Sequence, residues 1–150
     1  MEISEIEAEF AALELPKFDE TLALRLGEVL IDLALADDLP VVINIRTADR
    51  TLFHAALPGS APLNDLWARR KSNTALLFLL PTLLVGRRNK ARGETLVRHG
   101  LDPADYADNG GAVPVRVKGL GVVAVATVSG LPQVEDHKLV VRGLKALMTG

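Results

Sequence analysis

The chain has no cysteine among its 150 residues. That absence excludes a thiol nucleophile, a thiolate metal site and a disulfide framework, and it fits a reducing compartment, so a cytoplasmic location is expected. Aromatic residues make up only 4% of the chain, which leaves no stacking platform for nucleic acid. Leu, Val and Ala must therefore fill the core of a sequence that is 49% apolar. The longest apolar run, residues 75–85, is about half of what a helical membrane span needs and is interrupted by Pro81. The first ten residues, MEISEIEAEF, are acidic and lack the basic-then-apolar order of a secretory signal. Neither a membrane nor nucleic acid is expected as a partner. No serine sits in a GxSxG elbow, although Ser60 and Ser129 could be paired on paper with a histidine and an aspartate. The three histidines, His54, His99 and His137, lack the compact spacing of a metal motif. No metal site and no catalytic residue is expected, and the sequence assigns no reaction.

What is present is a pattern of strands between helices. Val113, Val115 and Val117 alternate with Pro114, Arg116 and Lys118, the period of a strand with one wet face. Pro114 cannot donate to a ladder and predicts a sheet edge. Residues 122–128 are apolar or small at nearly every position, which predicts a central strand joined to the first by a hairpin at Gly119. A second hairpin is expected from the β-branched run 41–45, with Asn44 as its polar member, returning through 51–57 at the other edge. Helices are predicted at 3–13, from the N-cap Asp19 to about 37, over 63–77, over 83–91 and from Pro132 to 148. A further short turn of helix is expected at Asp102-Pro103. The fold class is α/β (α+β): a mostly antiparallel sheet of four to five strands with helices on both faces, in one domain spanning 1–150, with residues 1–18 as an N-terminal helical extension.

This order has a topological consequence. If strands 41–46 and 122–128 lie side by side and antiparallel, strands 51–57 and 122–128 are parallel with one strand between them. Their C-terminal ends then emerge at one sheet edge, about 10 Å apart. The loops Pro58-Gly59-Ser60 and Gly130-Leu131-Pro132-Gln133 become neighbours there, with a helix N-terminus supplying N–H groups. Positive charge lies nearby in sequence. Between Trp67 and His99, Arg69, Arg70, Lys71, Arg87, Arg88, Lys90, Arg92 and Arg98 face Glu94 alone, although the net charge is only −2. Such a strip either collects anions or is a set of solvated helix faces. A small anionic ligand near Gly130, held by Arg70 or Lys71, is the functional expectation.

Each candidate residue also has a structural reading. His137 falls on the apolar stripe of its helix, as a ligand or proton carrier beside the Gly130 loop or as a packed histidine bonded to backbone. Glu135 and Asp136 stand where acids favour a helix N-terminus, and the consecutive triplet 135–137 cannot chelate because neighbours on a helix point about 100° apart. His54 can face either the site or the core. Trp67 and Arg70 are one turn apart, close enough for the guanidinium to rest on the indole. His99 precedes Gly100 at a helix C-terminus.

The stretches LPVVINIR, LFHAALPGSAPLNDLWARRK and GLDPADYADNGGAVPVRVKGLGVVAVATVSGLPQVEDHKLVV occur in that order. In these the chain, over roughly residues 19–148, resembles the cytoplasmic branch of the haem-degrading-domain family, relatives of the GlcG and HbpS proteins. The resemblance implies a profilin-like antiparallel sheet between helices, homo-oligomers, and haem or another tetrapyrrole as a possible cofactor. The matching motif positions are His54, Pro58, Gly59, Asn64, Asp65, Trp67, Arg70, Lys71, Gly130, Pro132, Gln133, Asp136 and His137; Ser60 joins them as a member of the candidate loop. Two functions follow as expectations: an oligomeric small-ligand-binding protein, or an oligomeric interaction module with no substrate. In either, residues 75–85 are expected between subunits, because this run is apolar all round and a sheet can cover only one side of it. The competing cover is the N-terminal helix with its Ile3, Ile6 and Phe10 stripe.

Overall fold

A computed structural model describes residues 1–149. Five helices and five strands follow one another as α1 (Ile3–Ala12), β1 (Glu14–Leu15), α2 (Glu20–Ala36), β2 (Val42–Arg46), β3 (Thr51–Ala56), α3 (Pro62–Phe78), α4 (Thr82–Arg92), β4 (Ala112–Val117), β5 (Gly121–Ser129) and α5 (Gln133–Thr149), with a short 3₁₀ turn at Leu96–His99 before β4. The sheet order is β1-β4-β5-β2-β3. β5 and β2 are the central pair, antiparallel to each other and each to its hairpin partner. The α/β class and the two hairpins expected from periodicity are present.

Three details differ from the sequence reading. β1 adds a fifth strand, paired parallel to β4 only at Arg116 and Val117, so the sheet is mixed. Two residues between Leu13 and Pro16 carry no periodic signal, which is why this strand is invisible in the sequence. It stops short of Pro114, which stays on the open part of that edge and needs no outer partner. A bulge makes Val123 the extra residue opposite the Val115–Arg116 step, turning it toward the same core as Ala124, Ala126 and Val128. The Asp102-Pro103 segment is a hydrogen-bonded turn, with Asp102 Oδ1 accepting from Ala104 N at 2.9 Å, rather than a helix.

The main core lies on the sheet face covered by α2 and α5. Leu26 and Leu30 of α2 and Val140 and Leu144 of α5 meet Ile43, Ile45, Val113, Val115, Ala124, Ala126 and Val128. α2 is capped by Asp19, whose carboxylate accepts from Leu22 N at 2.9 Å. The opposite face is covered by α3, where Ala75 packs on Ala112 and Val125 and Ser72 Oγ bonds Thr127 Oγ1 at 2.8 Å. The small residues of β5 let both helical layers approach closely.

α1 and β1 form a strap. Ile6 is buried against Leu83 and Leu84, Glu7 pairs with Arg88 at 3.0 Å, and the Met1 carbonyl accepts from Arg87 Nε at 3.2 Å. Phe10 lies under the Arg116 guanidinium, 4.3 Å from its ring centroid. Within the run 75–85, the strap covers Leu83 and Leu84 from inside the chain, and Val85 is buried as well. Leu77 and Leu79 alone of that run remain largely exposed, at 55% and 53%. Leu79 ends α3 in the left-handed region at φ 59°, a position usually held by glycine. No helix among the described residues is long and apolar enough to cross a membrane.

Candidate functional site

β2 brings the two predicted loops together. Val42 pairs with Ala56 on one side and Ser129 on the other, so β3 and β5 both finish against the start of β2. Pro40, just before β2, lies between their exits. Gly130 adopts φ 148° with the Pro40 carbonyl 2.5 Å from where a Cβ would stand, and Gly59 lies against Pro40 from the other loop. A side chain at position 130 would push the loop off the sheet.

Beside Gly130 opens a cavity of about 260 Å³, lined by Asn64, Trp67 and Lys71 of α3, Asn109, Ser129, Gly130 and Leu131, and Gln133 and Asp136 of α5. Its floor is an ion pair. Lys71 Nζ donates to Asp136 Oδ2 at 2.9 Å and to the Val128 carbonyl at 3.3 Å, and the two side chains are 4% and 2% exposed. Asp136 Oδ1 accepts from Leu131 N at 2.9 Å, and Oδ2 accepts from Gly130 N at 3.4 Å. Burial pushes the Asp136 carboxyl above the ordinary carboxylate range, opposed by the Lys71 ammonium and these loop N–H groups. Gly111, at φ 138°, makes room for the pair: a Cβ there would lie 2.7 Å from Lys71 Nζ.

The cavity walls have a defined hydrogen-bonding sense. Asn64 Oδ1 accepts from Ala61 N at 2.8 Å, and Gln133 Oε1 accepts from Gly110 N at 2.8 Å. A backbone N–H can only donate, so both amides must present their oxygen to the backbone and keep their NH2 groups for another acceptor. The Trp67 ring forms part of the wall, with Arg70 over it at 4.3 Å.

Of the expected site residues, Asn64, Trp67, Lys71, Gly130, Gln133 and Asp136 meet at this cavity. The others are placed elsewhere. Arg70 donates from Nε to the Pro103 carbonyl at 2.8 Å and Arg69 pairs with Asp105 at 2.8 Å, and neither lines the cavity. Ser60 Oγ donates to the Leu57 carbonyl at 2.6 Å and closes its own turn. Pro132 lines a different groove with Leu39, Lys138 and Arg142. His54 belongs to a polar chain on the α3 side of the sheet: Arg46 Nε donates to Asn44 Oδ1 at 2.7 Å, Asn44 Nδ2 donates to His54 Nδ1 at 2.9 Å, and His54 Nε2 donates to Asp65 Oδ1 at 2.7 Å. The acceptor role of Nδ1 fixes the proton on Nε2.

His137 faces away from the cavity, toward α1. Its Nε2 bonds Glu9 Oε1 at 2.6 Å, not a backbone carbonyl, and its Nδ1 is buried without a partner. Burial lowers its proton affinity, opposed by Glu9, so the imidazole is neutral with Nε2–H donating to the carboxylate. Part of the basic strip is likewise used inside the chain: Arg88 pairs with Glu7, Arg87 donates to the Met1 carbonyl and Arg98 pairs with Glu94, while Lys90 and Arg92 are exposed. Asn109 and Leu131 were not singled out by sequence. Asn109 reads only as turn chemistry before Gly110-Gly111, and its place at the cavity follows from the Gly110–Gln133 bond.

Comparison with known proteins agrees with this architecture. The family described as "Haem degrading protein HbpS-like" matches residues 18–145. A UPF0303 protein of Streptomyces avermitilis is 47% identical over 148 residues, covering 98% of this chain and 91% of that protein. A UPF0303 protein of Rhizobium etli is 40% identical over 147 residues, covering 98% and 90%. Among solved structures, the Ybr137w protein superposes with a TM-score of 0.91 at 29% identity, covering 100% of this chain and 90% of that one. The structure of the PduOC:heme complex shares the fold at a TM-score of 0.75 and 17% identity, covering 86% and 94%. The chain belongs to the HbpS-like haem-degrading protein family.

Proposed function

We propose that this chain is an oligomeric small-ligand-binding protein whose site is the cavity between α3, the Gly130 loop and α5. The observation that carries the reading is the pair of amides with committed oxygens: Asn64 and Gln133 each hold a backbone N–H and keep an NH2 for a ligand. Such fixed donors recognise a molecule bearing oxygen acceptors. The cavity, of about 260 Å³ and open on one side, suits a small compound. Trp67 is the single tryptophan and lines the cavity, so its fluorescence reports on this site. A screen of small carbonyl and hydroxyl compounds should find saturable quenching that is lost in Gln133→Leu; a response unchanged in that variant places the site elsewhere.

A second reading, haem binding, draws on the family and on the haem-complexed fold relative. It uses a different place, since no histidine lines the cavity. His54 is the candidate ligand because it is exposed, whereas His137 is 1% exposed and engaged with Glu9. Iron ligation there would cost the Asp65 bond. Haem titration should give a Soret shift that His54→Ala weakens and His99→Ala does not; equal curves for the His54, His99 and His137 alanine variants remove histidine ligation altogether.

Self-association is the partner this reading includes. Leu63, Leu66 and Leu77 of α3 are each more than half exposed and fall within about 60° of one another around the helix axis. A stripe of that kind suits an isologous contact between copies. The cytoplasm is the proposed location, in keeping with the absence of cysteine.

A further inference from the structure

The cavity's cation and its nearest backbone donors are already taken by a group of the chain itself. Asp136 reaches back from the first turns of α5 and fills the position an external anion would occupy: one oxygen on Leu131 N at 2.9 Å, the other on Lys71 Nζ at 2.9 Å and on Gly130 N at 3.4 Å. The side chains of the ion pair are almost wholly buried, so solvent screens it little. Lys71 also spends a second proton on the Val128 carbonyl. Beyond the one remaining Lys71 proton, the donors among the lining side chains are uncharged: the amide NH2 groups of Asn64 and Gln133, whose oxygens are committed, with Asn109 and Ser129 beside them.

From this we infer that Asp136 is a specificity-determining residue that turns anions away, so that the cavity takes a small uncharged carbonyl compound and refuses the matching carboxylate. The inference rests on the cavity reading and adds the charge of its ligand. A carboxylate entering beside Asp136 would add a second negative charge against the single cation of Lys71, next to an ion pair that is itself buried and little screened. A carboxamide or ketone of the same shape accepts the two amide NH2 bonds without that penalty. The same geometry predicts how the preference moves. Asp136→Asn keeps an oxygen for Leu131 N but leaves the Lys71 charge uncompensated, so anions should enter. Lys71→Gln leaves the Asp136 charge alone and should exclude anions further.

Lactamide and lactate differ in charge and hardly in shape, and they serve as probes. Titration at neutral pH, followed by calorimetry and by Trp67 fluorescence, should show the wild type binding lactamide at least tenfold more tightly than lactate. In Asp136→Asn the ratio should reverse; in Lys71→Gln lactate binding should be absent. Circular dichroism and thermal melts establish that each variant is folded, and the wild-type comparison decides the matter even if a variant is not. Lactate binding the wild type as tightly as lactamide overturns the charge inference and leaves the cavity reading standing, and a folded Asp136→Asn with an unchanged ratio does the same. Neither probe binding, with no response at Trp67, overturns the cavity reading and this inference together.

Discussion

At the residue scale, buried polar groups carry most of the specific information. Removing one partner of the Lys71–Asp136 pair strands a charge in a site that is 2–4% exposed. Lys71→Ala is therefore expected to cost about 3–5 kcal/mol, while the double change Lys71→Met with Asp136→Leu should recover part of it, because no charge is left buried although Leu131 N loses its acceptor. Urea denaturation of the two variants checks this; Lys71→Ala as stable as the wild type would contradict it. His137 makes a prediction in pH. Its folded-state proton affinity lies below the unfolded value near 6.5, so its contribution is fully present above about pH 6.5. As pH falls below that, the unfolded chain takes up a proton that the folded chain refuses, and stability declines. The urea midpoint should drop between pH 7 and 5, and His137→Gln should flatten that slope; an unchanged slope removes His137 as its source.

At the scale of elements, the strap of α1 and β1 covers Leu83 and Leu84 from within the chain. Its Ile6 fills a space between Leu83 and Leu84, so Ile6→Ala should cost about 2–4 kcal/mol, read as a lower urea midpoint. A loss below 1 kcal/mol would mean that α1 is docked by charge alone. The end of α3 offers the opposite test. Leu79 holds a left-handed conformation with an exposed side chain, and Leu79→Gly relieves that strain, with an expected gain of roughly 0.5–1 kcal/mol. How much of this was legible follows from length. The helices and the four longer strands repeat their apolar spacing over several turns or pleats, and so they read directly from the sequence. β1 has two residues and no period, and the Val123 bulge interrupts a period without changing the residue types. The cover over 83–85 was ambiguous because an all-round apolar run states that it needs two neighbours, not which chain supplies the second.

At the scale of the whole molecule, topology placed the candidate cavity and side-chain pairing set the charges around it. The proximity of the Gly59 and Gly130 loops follows from strand order alone, and six of the fourteen candidate residues meet at the cavity beside them. The basic strip could not be resolved this way. Arg69, Arg70, Arg87 and Arg88 are matched by acids and carbonyls from 33 or more positions away, and only the fold reveals those partners. The exposed Leu63, Leu66 and Leu77 stripe predicts a homo-oligomer by light scattering at micromolar concentration, with Leu66→Arg shifting the mass toward one chain. A wild-type mass of 16.1 kDa would contradict self-association, and an oligomer indifferent to Leu66→Arg would move the interface to another face.

The central claim, that the cavity beside Gly130 is the binding site, is tested most directly by nuclear magnetic resonance during a lactamide titration. The account predicts saturable shifts of the Trp67 indole N–H and of the Asn64 and Gln133 side-chain NH2 groups, with one shared dissociation constant. Signals from the groove between Leu15 and Met148 should stay in place. Shifts confined to that groove or to His54, with the three cavity side chains unmoved, would contradict it.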